Sequence, residues 1–482
     1  MISEQQNYDA TPAALRRLED QAHRDLGVVA YPDVDWVRPI QGPAGSKALD
    51  CVIVGGGQFG ITLALALRRE CVANIAVLDE AEAGHEGPWA SFARMQTLRT
   101  PKTLTGPDLG IPSLTFRAWC DARHGAGTWD RLDRIPRLWW MDYLAWYRQA
   151  LDLPVRNRVQ VSAVVPVSDR LFRVEAGTAS AVETLFARTV VFATGAIGSG
   201  ALLHAPIVTD AVPRGRYAHT NEPIDFSLLR GKRIGILGVG ASAFDNAATA
   251  LENGALEAHV FCRRPALPRD NPRRWMEFSG FLAHYPELPD AQRWAYMQRL
   301  LEIGQPPPTN TYARATALPG FQLHTAAPWL SVVCAGADAP IEVTTPAGRH
   351  AFDFVIGATG IEVDMKLRPE LAAITPHVAT WADRYDPPAA AVNTRLSRFP
   401  YLDRFGGFTA REPGQALWAG RAFAIFRGAT LSLGPSAASN SNMKYTVPRL
   451  VSGITRQLFL DAADGYFDAF VSGDHMELRQ TG

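Results

Sequence analysis

Hydrophobic positions follow a clear order in the chain from Leu49 onward. An apolar run at Cys51–Val54 is followed by a glycine-containing turn, and Phe59–Glu70 then repeats apolar residues at helical spacing. A second apolar run follows at Ile75–Leu78. Short apolar runs bounded by turn residues are typical of buried strands, and the longer periodic stretch is typical of a helix. This order predicts the beginning of a β-α-β unit.

The same order returns in the middle of the chain. Arg233–Leu237 is an apolar run, Ser242–Asn253 has helical periodicity, and Ala258–Cys262 is a second apolar run. Two such copies predict an α/β fold with two dinucleotide-binding, Rossmann-like domains. The stretch 265–328 contains several Pro and Trp residues, and we predict that it is an insertion on the substrate side of the second domain.

Two other apolar strands end in the tripeptide Ala-Thr-Gly. Thr189–Phe192 runs into the first tripeptide and Phe354–Gly357 runs into the second. A small residue followed by glycine lets the backbone come close to a ligand or to a crossing segment. These strand ends are therefore predicted to lie at the seam between the two domains. The candidate cofactor contacts here are Thr194, Gly195, Thr359 and Gly360.

The first glycine turn carries the fingerprint G-x-G-x-x-G at Gly55, Gly57 and Gly60. The first glycine of this motif makes the turn, the second admits a pyrophosphate, and the third lets helix and strand pack closely. Asp79 ends the next strand, where a carboxylate accepts hydrogen bonds from a ribose, and Glu80 is the adjacent alternative. This unit is predicted to bind FAD; the alternative is a glycine turn that is only structural.

The second unit has the alanine form of the fingerprint, but its second strand ends in two arginines rather than in a carboxylate. Guanidinium groups can form charge-assisted bonds to the 2′-phosphate of NADP, which a carboxylate would repel. The unit is therefore predicted to bind NADPH, the alternative being that the arginines are a solvated surface pair. The candidate contacts are Gly238, Gly240, Ser242, Ala243, Arg263 and Arg264.

Composition narrows the class of partner. The 482 residues contain 48 Lys and Arg against 48 Asp and Glu, which favours a small-molecule substrate over a nucleic acid or a membrane surface.

The five cysteines are scattered without a C-x-x-C pair, which fits a reducing cytoplasm and argues against a redox dithiol. The 11 histidines show no zinc-type spacing, so no metal is predicted. Acidic residues such as Glu4 and Asp9 predict no export signal.

The order of these motifs resembles the class B flavoprotein monooxygenases, which include flavin-containing monooxygenases, Baeyer–Villiger monooxygenases and amine N-hydroxylases. The resemblance also rests on Gly87–Trp89, which reads Gly-Pro-Trp, and on the spacing of Gly215, His219 and Thr220. It implies an NADPH domain inserted into the FAD domain, a cofactor contact by Trp89 and a catalytic role for His219. In such enzymes NADPH reduces the flavin, molecular oxygen adds at flavin C4a, and retained NADP⁺ protects the hydroperoxide.

Three departures narrow the resemblance. Pro213 stands where the family signature around Gly215 and His219 has phenylalanine. The asparagine that flavin-containing monooxygenases carry after the position of Thr100 is missing, and so is the aspartate that Baeyer–Villiger enzymes carry downstream of Trp89. Both of these subclasses are weakened as a result. His219 alone could equally be a core or capping histidine.

The segment Met95–Lys102 is similar to a loop of the ornithine-type N-hydroxylases, as is the polar run Ser439–Asn442. We predict that the loop faces the flavin and the substrate, with Gln96, Arg99 and Lys102 as catalytic candidates beside His219. The alternative for the two cationic side chains is that they are solvated loop charges. The alternative for the polar run is a helix-capping turn, because Ser and Asn are strong cap residues.

One aromatic helix is predicted to be part of the core. Its aromatic residues recur at near-helical spacing, which more often marks a buried helix face than a platform for a ligand. They are Trp139, Trp140, Tyr143, Trp146 and Tyr147.

The predicted domains are an N-terminal extension (1–47), a first part of the FAD domain (48–210), an NADPH domain with its insertion (211–345) and a second part of the FAD domain (346–482). The predicted function is an NADPH-dependent FAD monooxygenase that forms a C4a-hydroperoxide and oxygenates a small organic substrate by N-hydroxylation or a related reaction. Two alternatives stay open: an oxidoreductase or NADPH oxidase without oxygen insertion, and a non-catalytic redox sensor. The substrate and any homo-oligomer are left open.

Overall fold

The computed structural model describes residues 12–30, 32–104, 106–178, 180–473 and 477. The acidic residues on which the prediction of no export signal rests lie outside these described residues. The strands are β1 (Leu49–Val54), β2 (Ile75–Leu78), β3 (Val155–Arg156), β4 (Gln160–Ser168), β5 (Leu171–Gly177), β6 (Val182–Gly195), β7 (Gly200–Leu202), β8 (Tyr217–His219), β9 (Arg233–Leu237), β10 (Glu257–Phe261), β11 (Phe321–His324), β12 (Ser331–Cys334), β13 (Ile341–Thr345), β14 (Gly348–Phe352), β15 (Phe354–Gly357), β16 (Ile361–Val363) and β17 (Ala422–Phe426).

The α-helices connect these strands and cover their faces. They are α1 (Pro12–Val28), α2 (Gln58–Arg69), α3 (Phe116–His124), α4 (Thr128–Arg131), α5 (Arg137–Ala150), α6 (Pro206–Thr209), α7 (Ala241–Glu252), α8 (Pro272–Trp275), α9 (Ser279–His284), α10 (Asp290–Ile303), α11 (Thr309–Thr316), α12 (Thr394–Ser397), α13 (Thr430–Leu433), α14 (Asn440–Leu460) and α15 (Ala463–Ser472). Among the described residues, no helix combines the length and the apolar character needed to cross a membrane.

The first sheet has the order β3-β2-β1-β6-β5-β4, with β17 also paired to β6. The pairs β1 with β2, β1 with β6 and β6 with β17 are parallel. The long strand β6 connects the parallel and the antiparallel parts of this sheet. Its first half pairs antiparallel with β5, and its second half pairs parallel with β17. Strand β1 is buried on both faces, as a continuous apolar run in a parallel sheet requires.

The second sheet has the order β11-β10-β9-β15-β8, and all its pairs are parallel. Its strands lie in the chain between β6 and β17 of the first sheet. The prediction of two Rossmann-like units, one inserted into the other, is therefore confirmed. Two smaller antiparallel sheets, β12-β13-β14 and β7-β16, flank this unit.

Strand pairing suggests two domain boundaries that differ from the predicted ones. The insertion 265–328 contains helices α8 to α11, but its end is strand β11, which pairs with β10 inside the second sheet. The second part of the first domain was predicted to begin at residue 346, yet β15 pairs with β9. We propose that the chain returns to the first domain only after Gly357.

Helix α5 confirms the prediction of a buried aromatic face. Trp140, Tyr143, Trp146 and Tyr147 are buried, whereas Trp139 is only partly buried and packs against the same core. The phenol of Tyr143 donates to the carbonyl of Leu114 at 2.6 Å, so its polar atom is satisfied in the core. The helix therefore supports the first sheet rather than a ligand.

Candidate active site between the two nucleotide-binding sheets

A cavity of about 1150 Å³ lies between the two units. Its walls come from both glycine-turn units, from the segment after Trp89, and from the C-terminal part of the chain. The predicted site residues among its lining are Gly55, Gly57, Asp79, Glu80, Trp89, Arg99, Thr194, Gly195 and Ser242. A cavity of this size between two nucleotide-binding units can hold a dinucleotide and a small substrate together.

The first glycine turn has the geometry that a dinucleotide needs. Gly55 has φ 106°, and a Cβ there would lie 2.5 Å from the carbonyl oxygen of Ala193. A Cβ on Gly60 would lie 1.9 Å from the carbonyl oxygen of Gly55, so glycine is needed for close packing of helix and strand. Next to Gly57, by contrast, no atom lies within 4 Å of the Cβ position. The open side of Gly57 fits a pyrophosphate at the N-terminus of α2.

The second turn repeats this geometry. Gly238 has φ 118°, and its Cβ position lies 2.5 Å from the carbonyl oxygen of Ala358. The Cβ position of Gly240 is open, and Ala243 is fully buried. In both units, therefore, the first fingerprint glycine packs closely against the backbone of the alanine in an Ala-Thr-Gly tripeptide. The small residues at these strand ends make room for a crossing segment, one of the two roles predicted from the sequence.

The two Ala-Thr-Gly tripeptides make different contacts. Thr194 and Gly195 line the cavity, and the buried Oγ1 of Thr194 has no hydrogen-bond partner among the described residues. Thr359 instead donates to the carbonyl of Leu203, and the carbonyl of Gly360 accepts from the Leu203 amide at 3.0 Å. The structure therefore brings the first tripeptide to the cavity, whereas the second holds β7 against the chain entering β16.

Asp79 lies at the predicted ribose position and is already hydrogen-bonded. Its carboxylate accepts from the amides of Gly56 at 2.7 Å and Ala81 at 2.8 Å. Burial raises the pKa of Asp79, although these two amides oppose the shift. Glu80 also lines the cavity and is exposed. Both carboxylates thus stay candidates for the ribose.

Arg94 is a cavity residue that was not predicted from the sequence. Its guanidinium donates to the carbonyls of Thr220 at 2.9 Å and Glu222 at 2.7 Å, and so links the segment after Trp89 to the end of β8. Burial, together with the nearby charge of Arg137, lowers its pKa to about 10. Only its place after the Gly-Pro-Trp motif could have drawn attention to it.

Arg99 lines the cavity, but its charge is paired. Its Nη2 lies 2.8 Å from Oδ2 of Asp245, a residue of α7 in the second unit. Asp245 is buried and also accepts from the hydroxyl of Thr311 at 3.3 Å. Asp245 was not predicted, because the two partners lie 146 positions apart in the chain.

Gln96 and Lys102 lie away from the cavity lining in this structure, and their place beside the flavin and the substrate stays a prediction. Gln96 is exposed and lies outside the cavity lining. The ammonium group of Lys102 donates to the carbonyls of Trp129 and Leu132, both at 2.7 Å, and lies 4.7 Å from the ring centre of Trp129. A cation held by backbone carbonyls in this way supports the neighbouring loop instead of the cavity.

His219 is buried at the end of β8, next to cavity residues Thr220 and Asn221. Its Nδ1 accepts from the Asn221 amide at 3.1 Å, so this nitrogen carries no proton. Burial, followed by the charge of His204, lowers the pKa of His219. The imidazole is therefore neutral near pH 7, with its proton on Nε2; the backbone of Gly360 opposes the pKa shift, although Nε2 makes no aligned hydrogen bond among the described residues.

The two arginines predicted to select NADPH have different environments. Arg264 donates to the carbonyls of Ile303 at 2.8 Å and Glu302 at 3.0 Å, and so caps the C-terminus of α10. Arg263 is exposed. The structure thus leaves Arg263 as the candidate for a 2′-phosphate and assigns Arg264 a structural contact.

Two helices begin at the cavity wall. Gln58 opens α2, and its Oε1 accepts from the indole of Trp140 at 3.1 Å. Ser439 and Asn440, from the polar run, lie at the start of α14 and also line the cavity. Ser439 occupies the N-cap position without a side-chain cap bond. The run therefore does open a helix, and it also reaches the cavity.

The five cysteines do not form a dithiol centre. All of them are free, and within the described part of the chain none lines the cavity. Burial raises the pKa of Cys51 and of Cys120 to about 12, which keeps both thiols protonated. The cavity therefore lacks the pair of thiols that disulfide reduction requires.

Comparison with known proteins gives three kinds of match. Residues 52–277 match the family model described as pyridine nucleotide-disulphide oxidoreductase. FAD-dependent urate hydroxylase of Xanthomonas campestris pv. campestris is 46% identical over 465 residues, which cover 96% of this chain and 97% of the relative. The reduced ornithine hydroxylase of Pseudomonas aeruginosa has a TM-score of 0.67 at 16% identity, covering 85% of this chain and 100% of that chain. The ornithine N-hydroxylase of Kutzneria sp. 744 has a TM-score of 0.66 at 17% identity, covering 85% and 99%.

The fold, with two Rossmann-like units facing one cavity, is that of the flavin monooxygenases, and the relative that is 46% identical shows that the chain is an oxidoreductase. The match that covers nearly the whole of both chains goes further: this chain belongs to the same family as FAD-dependent urate hydroxylase. The predicted resemblance, fold class and enzyme class are thereby confirmed. The ornithine hydroxylases share the fold.

Proposed function

We propose that this protein is an NADPH-dependent FAD monooxygenase that forms a flavin C4a-hydroperoxide and oxygenates a small anionic heterocycle. Because the 46% identical relative is a urate hydroxylase, urate is the first substrate to test. In the balanced reaction one atom of O₂ enters the substrate and the other leaves as water, while NADPH supplies two electrons and a proton is consumed. The cytoplasm as its location stays a prediction.

The observation that carries this proposal is that one cavity is shared by both units. The open side of Gly57 would receive the FAD pyrophosphate, and Asp79 or Glu80 would hold its ribose. Ser242, at the start of the second unit's helix, lines the same cavity. Hydride transfer requires donor and acceptor rings in contact, and a shared cavity allows this without moving the two sheets apart.

Three arginines support an anionic substrate. Arg427 follows β17 two residues after the cavity residue Ile425, and none of the three arginines is itself a lining residue of that cavity. Its pKa is lowered to about 10 by burial and then by the charges of Arg395 and Arg273. Arg395 donates to the carbonyl of Ile361 at 2.9 Å, and Arg273 donates to that of Pro435. Like charges held close to Arg427 favour a bound anion, and urate carries a negative charge at neutral pH.

His219 and Arg94 would organise the site rather than transfer oxygen. A neutral imidazole with a proton on Nε2 can donate one hydrogen bond without adding charge. Arg94 adds a fixed positive charge at the cavity wall and ties that wall to the end of β8. Both groups would favour a polar ligand over an apolar one at this side of the cavity.

The test is a two-stage spectroscopic experiment. The purified yellow protein is reduced anaerobically with NADPH and then mixed with air-saturated buffer, with and without urate. We expect the absorbance band of a C4a-hydroperoxide, whose decay becomes faster with urate and yields a hydroxylated product. The control is the Arg427→Gln variant, which should form the same band but need more urate for the same decay rate.

Each alternative has its own outcome in this experiment. Fast NADPH oxidation with stoichiometric hydrogen peroxide, and no product from urate, would identify an NADPH oxidase. Bound FAD with no NADPH oxidation would indicate a redox sensor. A protein that stays colourless after reconstitution with FAD would refute the proposal.

A further inference from the structure

Three histidines that lie far apart in the sequence meet outside the cavity. His259 is on β10, His324 is on β11, and His350 is on β14 of the neighbouring antiparallel sheet. One ring nitrogen from each can be chosen so that all three lie within 4.8 Å of one another. Spacings of 65 and 26 positions show no metal pattern in the sequence, which is why no metal was predicted from the spacing of the histidines.

The rings of His259 and His324 are within hydrogen-bond distance of each other, and Nε2 of His350 lies 3.5 Å from the hydroxyl of Thr345. Nε2 of His324 lies 3.2 Å from Nδ1 of His259, so two potential ligand atoms face each other. The other nitrogen of His259, Nε2, lies 3.2 Å from Oε2 of Glu257 without an aligned hydrogen bond. A histidine that ligates a metal through one nitrogen commonly donates its other N–H to a carboxylate, and Glu257 is placed for that role.

The surroundings suit a partly open site. Phe261 stacks on His324 at 4.6 Å between ring centres, and Phe352 lies edge-on to His259 at 5.4 Å. His259 is buried, whereas His324 and His350 are half-buried, which leaves one side of the cluster accessible to water. Three nitrogen ligands plus a water complete the tetrahedron that zinc prefers.

We propose that His259, His324 and His350 bind one divalent transition-metal ion of the zinc type. The ion would tie β14 of the antiparallel sheet to β10 and β11 of the second nucleotide-binding sheet. None of the three residues lines the cavity within the described part of the chain. The site is therefore independent of the proposed oxygenation, and its role would be to stabilise the second unit.

The test uses the full-length flavoprotein, freed of metal with a chelator and titrated with Zn²⁺ by calorimetry. We expect one equivalent to bind and to raise the melting temperature. His324→Asn and His350→Gln should each weaken binding by about tenfold or more, and Glu257→Gln should weaken it less than either. The matched control is His284→Gln, which alters an exposed histidine outside the cluster.

Two readouts separate a specific site from weak surface binding. Flavin content and NADPH oxidation should be unchanged in all four variants, and circular dichroism should show that they are folded. Failure of the wild-type protein to bind Zn²⁺ would overturn the proposal. So would equal Zn²⁺ affinity in the wild type, His324→Asn and His350→Gln. Neither result would bear on whether the enzyme oxygenates urate.

Discussion

Gly57 and Gly240 occupy equivalent places in the two units, which allows a matched pair of substitutions. Each is the N-cap residue of the helix after its glycine turn, and each has φ −67°. A Cβ added to either meets no atom within 4 Å. We predict that Gly57→Ala weakens FAD binding and leaves NADPH binding intact, and that Gly240→Ala does the reverse.

The expected magnitude depends on the open space beside each glycine. Alanine is a poorer N-cap than glycine, at a cost of at most about 1 kcal/mol, so both variants should fold. Its methyl group would instead occupy the space needed by the phosphates. Overpacking a tight contact costs about 1–3 kcal/mol, which corresponds to an affinity loss of about 5- to 150-fold. Gly60→Ala should behave differently, because its Cβ would lie 1.9 Å from the Gly55 carbonyl and would disturb the fold itself.

The assay measures both cofactors on the same preparations. Flavin is removed and titrated back while its fluorescence is followed, and the KM for NADPH is measured in the reconstituted protein. Thermal melting of the flavin-free forms checks that the folds are equally stable. If Gly240→Ala lowered FAD affinity as much as Gly57→Ala, or if neither changed a cofactor, the assignment of the two turns would be refuted.

Three further predictions concern single charges. Arg263→Gln should raise the KM for NADPH by about tenfold and leave the KM for NADH unchanged. Arg264→Gln should instead lower the melting temperature and change the KM values for NADPH and NADH alike. Steady-state kinetics with each cofactor distinguishes the two variants. Lys102→Met should lower the unfolding free energy by about 2 kcal/mol in denaturant titrations, while an altered ratio of product to peroxide would restore its predicted catalytic role. Arg427→Gln should raise the KM for urate by about tenfold with NADPH oxidation in its absence unchanged, and an unaltered KM would exclude the arginine cluster as the anion site.

Local patterns predicted the elements and the two turns well. Strand Ile75–Leu78 and strand Arg233–Leu237 begin and end where their apolar runs do. The roles of Gly55 and Gly60 could also be predicted from the motif, because a tight turn and close packing depend on residues only a few positions apart. The side-chain period and the turn chemistry are properties of short segments, so a sequence reveals them directly.

Contacts between distant segments could not be predicted in this way. Arg94 meets the end of β8, and His324 meets His259, only because the sheets bring them together. The contacts of Lys102 and Arg264 have the same origin. A long cationic side chain can donate hydrogen bonds to whichever carbonyls the fold places nearby. The ammonium group of Lys102 donates to loop carbonyls, and the guanidinium of Arg264 donates to carbonyls at the end of a helix.

The ion pair of Arg99 with Asp245 joins the loop of the first unit to α7 of the second across the cavity wall. The side chain of Arg99 is 35% exposed and that of Asp245 only 3%, so the carboxylate is the buried partner of the ion pair. Asp245 lies five residues after Gly240, on the helix whose N-terminus would receive NADPH. A shift of α7 on NADPH binding would therefore move Asp245 and, through it, a side chain in contact with the FAD cavity. By linkage, if NADPH binding changed the affinity for FAD by some factor, FAD binding would change the affinity for NADPH by the same factor. The ion pair thus makes Arg99 a link between the two units, and its catalytic role stays a prediction.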